Sequence, residues 1–232
     1  MSRYQHIAKQ LRESLRASYT PGQLLPAETA LARQFSVNRH TLRRAIDELV
    51  QDGLVRRQQG VGCRVLATPI DYALHERAAF SYNLNESGLA FSTQVQSLER
   101  VTLPEAIAER VNVERDTPAI QLQTKRFIEQ TPACLIRHYL FGFDINVLIH
   151  FTGGSLHQFL AEQFSLSLRR GLTSLRARLP SLDECQQLQI DRTTALMEVH
   201  TQNFERAGDT LREYSIARSR GDLFEFSVMP KE

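Results

Sequence analysis

Arg39 and Arg43 stand four residues apart, with Asn38 and His40 beside them, in the stretch NRHTLRRAIDELV. Guanidinium groups one helical turn apart can reach the same groove of duplex DNA, where arginine pairs bidentately with guanine O6 and N7. A solvated basic helix face carries the same pair without that purpose. Further along, Gly153-Gly154-Ser155 precedes the periodic run Leu156, Phe159, Leu160 and Phe164. Free amides and a hydroxyl at that helix start could hold an anion, although an ordinary serine N-cap looks the same. Arg126, and Arg169 with Arg170, interrupt strands of alternating apolar residues, where an arginine serves an anion, an ion pair or an exposed sheet edge. Adjacent strand residues point to opposite sides, so only one of Arg169 and Arg170 is expected to face a common pocket.

The elements around Arg39 and Arg43 decide between the two meanings of that pair. Tyr4, Ile7, Ala8, Leu11 and Leu15 recur at three- and four-residue steps and predict an amphipathic helix that stops at Pro21-Gly22. A second, short helix is expected from near Pro26, with Leu31 and Phe35 as its apolar stripe. Asn38 suits the N-cap of a third helix, and Gly53 suits its C′ position. Leu42, Ala45, Ile46, Leu49 and Val50 form the apolar face of that third helix, which turns Arg39, His40 and Arg43 outward. Residues 54–66 read as a hairpin, with Gly60 and Gly62 at its tip. Two helices with a tight link, the second basic at its start, have the layout of a helix-turn-helix with a recognition helix.

Charge divides the chain at the same place. Residues 1–66 hold 11 Lys and Arg against 5 Asp and Glu, whereas residues 67–232 hold 17 against 21. A basic block joined to an acidic remainder predicts an anionic partner for the first part only. The remainder alternates strand-like runs at 94–101, 119–128, 133–141, 166–177, 195–204 and 211–219 with helical stretches at 104–111, 155–164 and 181–188. That mixture predicts an α+β sheet domain, its last two long strands forming an antiparallel hairpin. The expected organisation is a DNA-binding domain at 1–66, a linker at 67–78 and a second domain at 79–232. With 11 Gly, 8 Pro and 42% hydrophobic residues the chain is neither collagen-like nor disordered. Cys63, Cys134 and Cys185 are odd in number and far apart, so neither a disulfide framework nor a zinc site is indicated, and a reducing cytoplasm fits. No apolar stretch is long enough to cross a membrane, and no cofactor fingerprint occurs.

The stretch LLPAETALARQFSVNRHTLRRAIDELVQDGLVRRQQGVGCRV resembles the winged helix-turn-helix domain of GntR-family transcription regulators. The resemblance implies DNA contacts from Thr29, Asn38, Arg39, His40, Arg43 and Gly60, with Asn38 and His40 standing where the family commonly has Ser or Thr. LIRHYLF, GGSLHQFLAEQF and LREYSIARSRGDLFEF are similar to the UTRA effector domain of the HutC subfamily, a fold related to chorismate lyase. This second resemblance implies an effector pocket at Ser81, Arg126, Ser155 and Glu213, joined by Arg169 or Arg170. Thr124 and Ser219 depart from the Arg and Tyr common in members that bind sugar phosphates. NRHTLRRAID, CLI followed by HY, and GSLH are most similar to regulators of phosphonate-utilisation genes within that subfamily. The expectation is a homodimeric, ligand-responsive repressor that binds double-stranded operator DNA and a small phosphonate or phosphate compound.

Two other classes compete with it. A small-molecule lyase would use the same fold and anion pocket, but no HExxH, Walker loop or Gly-x-Ser-x-Gly elbow occurs. His157 lies two residues from Ser155, where helical side chains diverge, and His138 and His200 read as core or surface histidines on strands. An architectural DNA-binding protein with an inert second domain would leave the pocket residues incidental. Within the regulator class, a sugar phosphate or an amino-acid derivative is the alternative effector.

Overall fold

The structure is a computed structural model that describes residues 2–20, 22–58, 60–66, 69–74, 90–128 and 130–228. It divides into two units, Met1–Pro69 and Ile70–Glu232.

The first unit opens with α1 (Arg3–Ser18), followed by α2 (Glu28–Gln34) and α3 (Arg39–Gln51). The second helix begins two residues later than its proline suggested, because Ala27 takes the N-cap position and Glu28 the first turn. Asn38 does cap α3, its side chain accepting from the Thr41 amide at 2.8 Å. At the other end Gly53 takes a left-handed φ of 68°, and the Leu54 amide reaches back to the Leu49 carbonyl at 2.9 Å. This closes the helix with the bond pattern that favours glycine at C′. Ser36 makes the equivalent turn between α2 and α3 without glycine, at a φ of 49°.

Ile7, Leu11, Leu31, Leu42, Ile46 and Leu49 share one core with Val55, Cys63 and Val65 of the wing. The wing pairs β1 (Val55–Gln58) antiparallel with β2 (Gly62–Val65). Residues 22–25 run along the outer side of β2, with the Leu25 amide bonding the Cys63 carbonyl at 2.7 Å. Arg57 bridges the wing to the helices: it pairs with Asp47 and donates to the Arg43 carbonyl at 3.2 Å.

The second unit is built on a six-stranded sheet, all of it antiparallel: β4 (Phe91–Thr102), β5 (Pro118–Ile128), β6 (Thr131–Leu140), β7 (Leu168–Arg178), β8 (Leu196–Glu205) and β9 (Leu211–Arg220). The spatial order β4-β5-β6-β9-β8-β7 joins two three-stranded halves of mirrored order through the β6–β9 ladder. Each half repeats strand, helix, strand, strand, with α4 (Glu105–Val111) and α7 (Leu182–Leu188) as the equivalent helices. Between the halves lie α5 (Ile145–Leu148), a short helix that its apolar sequence did not disclose, and α6 (Leu156–Phe164). Leu122, Leu140, Leu148, Leu156 and Leu160 are almost wholly buried between α5, α6 and one face of the sheet.

One expectation is corrected. Residues 67–78 were expected to be a linker, but Ile70–Ala73 forms β3, which pairs in parallel with β10 (Phe224–Ser227). The pairing buries Tyr72 against Phe224 and Phe226, so this segment belongs to the second unit. Four residues whose partners lie some 150 positions away leave no periodic trace in the sequence.

On the sheet face opposite α6, Arg178 binds both Glu184 and Glu198, and Arg218 reaches the same two carboxylates at 3.2 Å each. The hydrogen bond from Arg178 pulls the Glu184 pKa down to about 2, against burial. Burial would raise Glu198, but bonds from His200, Arg178 and Arg176 outweigh it and also leave that pKa at about 2. A carboxylate depressed on folding adds stability above its ordinary pKa of 4.5 and loses it as pH falls toward 2. We therefore expect the melting temperature of the chain to drop between pH 4.5 and 2, and the drop to be shallower in Glu198→Gln. An equal slope in the two proteins would remove Glu198 from the acid response.

Candidate functional sites

At the N-terminal end of α3, Asn38, Arg39, His40 and Arg43 are all exposed, as are Thr29 on α2 and Gly60 in the wing turn. Among the described residues Arg39 and His40 make no side-chain hydrogen bond or ion pair, while Arg43 only approaches Glu28, at 3.9 Å. Arg44 points elsewhere, its guanidinium 4.2 Å above the ring of Tyr4 on α1. Arg57 is tied down by Asp47. The helix therefore presents Arg39 free and Arg43 held only loosely by Glu28, while the other nearby arginines serve as struts. Asn38 spends its carbonyl oxygen on the cap and keeps its amide NH2 available.

A cleft in the second unit has an empty volume of about 630 Å3, its solvent-open part included. Its floor is one face of the sheet: Arg126 on β5, Ile136 and His138 on β6, Glu213, Ser215 and Ser219 on β9, Thr201 and Asn203 on β8, and Arg170 on β7. Register explains the set, since His138, Ser215 and Thr201 stand opposite one another across three strands, as do Glu213, Asn203 and Arg170. Tyr72 of β3 and Phe226 of β10 line the cleft as well. Ser155, Leu156 and His157 enter from the start of α6, which is seated by a close approach of its leading loop to β4: a Cβ on Gly153 would lie 2.6 Å from the Thr93 carbonyl oxygen.

Arg126 is 4% exposed, and burial pulls its pKa below the usual value. A buried guanidinium gains when an anion joins it. Arg170 Nη2 lies 3.5 Å from the Tyr72 hydroxyl, and burial raises that hydroxyl's pKa, against the pull of Arg170 and Arg126. Two arginines, a neutral phenol and the Ser155 hydroxyl thus line one small cavity, a donor set suited to an anion with several oxygens.

Glu213, 1% exposed, is the other polar centre. His138 Nδ1 meets its Oε1 at 2.5 Å, and His157 Nε2 and Asn203 Nδ2 meet its Oε2, each at 2.6 Å. Burial would raise its pKa, but the charge of His157 and the bonds from both histidines hold it well below the ordinary carboxylate range. Burial lowers the pKa of His138, against the pull of Glu213. Its other ring nitrogen lies 3.3 Å from the Thr124 hydroxyl. A neutral ring that donates from Nδ1 to Glu213 and accepts the Thr124 proton at Nε2 satisfies both ring nitrogens of His138.

Of the residues singled out from sequence, the cleft gathers Arg126, Ser155 and Glu213, and Ser81 lies outside the described residues. Arg169 is a correction. It pairs with Asp209 and stacks 5.1 Å from the Phe204 ring, whereas Arg170, across from Asn203, faces the cleft. Ser155 and His157 both line the cleft despite their spacing, because Ser155 is the N-cap rather than a helical residue. Tyr72 and Asn203 had no signal in sequence, since only register and the β3–β10 pair bring them here.

A basic helix-turn-helix with a wing, joined in one chain to a sheet domain with an anion-suited cleft, defines a ligand-sensing DNA-binding regulator. Family comparison makes this specific: bacterial regulatory proteins of the gntR family match residues 3–65, the UTRA domain matches residues 86–225, and the chain belongs to the GntR family with a UTRA effector domain. It is 41% identical to the probable transcriptional regulator PhnF of Escherichia coli strain K12, over 98% of this chain and 95% of that protein. The crystal structure of PhnF from Mycobacterium smegmatis superposes with a TM-score of 0.66 at 22% identity, covering 97% of this chain and 99% of that one. A crystal structure of a PhnF C-terminal domain gives a TM-score of 0.56 at 28% identity, covering 71% and 98%. The families and the E. coli relative are regulators, so the protein is a transcription regulator rather than an enzyme. No helix among the described residues is long and apolar enough to cross a membrane.

His138 is expected to remain neutral with its proton on Nδ1 at pH 7, read from imidazole nitrogen chemical shifts. Because its pKa is depressed on folding, its contribution to stability is present above pH 6.5 and declines on acidification below that value. Thr124→Val strands a buried acceptor and should cost about 1–3 kcal/mol in chemical denaturation. A cost near zero would mean that the 3.3 Å contact is not a working hydrogen bond.

Proposed function

We propose that the protein is a homodimeric repressor of phosphonate uptake or metabolism genes whose affinity for operator DNA changes when a small phosphonate or phosphate compound occupies the UTRA cleft. The observation that carries the ligand class is the pairing of buried Arg126 with Arg170 in one cavity with the Ser155 hydroxyl. The similarity of NRHTLRRAID and GSLH to regulators of phosphonate-utilisation genes supports the same class.

Arg39 and Arg43 read base edges in the major groove, while Asn38, His40, Thr29 and Gly60 contact the backbone or flanking bases. The α3 N-terminus bears no acidic residue in its first turn, which leaves its dipole open to a phosphate. Two copies would place two such helices on half-sites about one DNA turn apart. The ligand must bind the DNA-competent and incompetent arrangements unequally, since equal affinity shifts no population.

The decisive measurement is fluorescence anisotropy on DNA from upstream of the protein's own gene, at two salt concentrations, with and without alkylphosphonates and phosphate. Binding that survives competitor DNA and changes with a phosphorus compound is the expected result; indifference to every such compound would discard the ligand class. Arg126→Ala should keep operator affinity and lose the ligand response, and an intact response in that variant would relocate the pocket. Arg39→Ala should weaken operator binding by about 1–3 kcal/mol per half-site and relax base preference. Equal weakening on every sequence would instead assign Arg39 to a phosphate.

A further inference from the structure

We infer that the effector carries a hydrogen-bond donor, an ammonium or a hydroxyl, a few bonds from its anionic group, and that Asn203 Oδ1 reads it. This rests on the cleft being the site of a small phosphonate. Asn203 is 2% exposed and lines the cleft from β8. Its Nδ2 is committed to Glu213 Oε2 at 2.6 Å. Turning the amide over would set its oxygen against that carboxylate, so its orientation is fixed by charge. The remaining atom, Oδ1, is buried and accepts no hydrogen bond among the described residues.

Across the strand pair stands Arg170, whose Nε is buried and likewise without an acceptor. The cleft thus leaves an acceptor and a donor unmatched at neighbouring register positions. A buried polar atom without a partner is costly, and such atoms in a pocket mark what a ligand must bring. The anionic oxygens of a phosphonate answer Arg170 Nε. They repel Asn203 Oδ1, which only a donor can answer. Glu213, bonded to the same amide, adds negative potential that favours a cationic donor there. The geometry therefore selects short aminoalkyl- or hydroxyalkylphosphonates over plain alkylphosphonates.

Calorimetric titration of the full chain with ethylphosphonate, 2-hydroxyethylphosphonate and 2-aminoethylphosphonate tests this with ligands that share one two-carbon backbone. We expect the two donor-bearing compounds to bind about tenfold or more tightly than ethylphosphonate, because a site built around a hydrogen bond rejects the analogue that lacks it. Asn203→Leu should close the affinity gap between the donor-bearing compounds and ethylphosphonate, whatever its effect on overall affinity. The ranking in the unaltered protein needs no variant, so a poorly folding Asn203→Leu leaves the test intact. Equal affinity for all three would mean that water meets the acceptor, overturning this inference and sparing the phosphonate reading. A preference that persists in Asn203→Leu would overturn it too. If no phosphonate binds, the ligand class falls and the inference with it.

Discussion

A carboxylate with 1% exposure stays charged only when donors replace the water it has lost, and Glu213 is held in that state by His138, His157 and Asn203. Those donors come from β6, α6 and β8, and Glu213 itself from β9, so one charge fixes four elements against each other. The β6–β9 ladder on which it sits is the only seam between the two halves of the six-stranded sheet among the described strands. The cleft is built over this seam. Its polar wall is therefore positioned by electrostatics that tolerate little slack, while Ile136, Leu156 and Val199 supply an apolar remainder.

Features set within one element were readable in the sequence, and contacts between elements were not. Apolar patterning located all six long strands to within a few positions, as alternation in β5, where one face is buried, and as a near-continuous apolar run in β6, which is buried on both faces. The helix-turn-helix was readable for a different reason: Asn38 and Gly53 mark the ends of α3 by local chemistry, and each performs the role its side chain suits. Function at the cleft was harder, because it depends on cross-strand neighbours. Arg169 and Arg170 are indistinguishable until β7 is set against β8, with a register shift between Arg170 and Thr173. Asn203 is unremarkable until it is seen opposite Glu213. The β3–β10 pair, which brings Tyr72 into the site, joins segments too short and too distant to announce themselves.

Charge is apportioned between the units in keeping with their partners. In the first, Arg39 is left unneutralised and Arg43 has only the distant Glu28 carboxylate, while Arg12, Arg44 and Arg57 are spent on Asp52, Tyr4 and Asp47. In the second, Arg176, Arg178 and Arg218, on the sheet face away from the cleft, are matched by Glu184 and Glu198, whose depressed pKa values keep that lattice ionised over the neutral range. Arg126 and Arg170 are the guanidiniums that line the cleft.

The mirrored strand order also sets a schedule for synthesis. Contacts of the winged helix close within its first 66 residues, so it can fold while the rest of the chain is still emerging from the ribosome. The sheet domain cannot, because β9, which bridges its halves, and β10, which holds β3, are made last. A winged helix that folds as it emerges would present its DNA-reading surface before its sensor is complete.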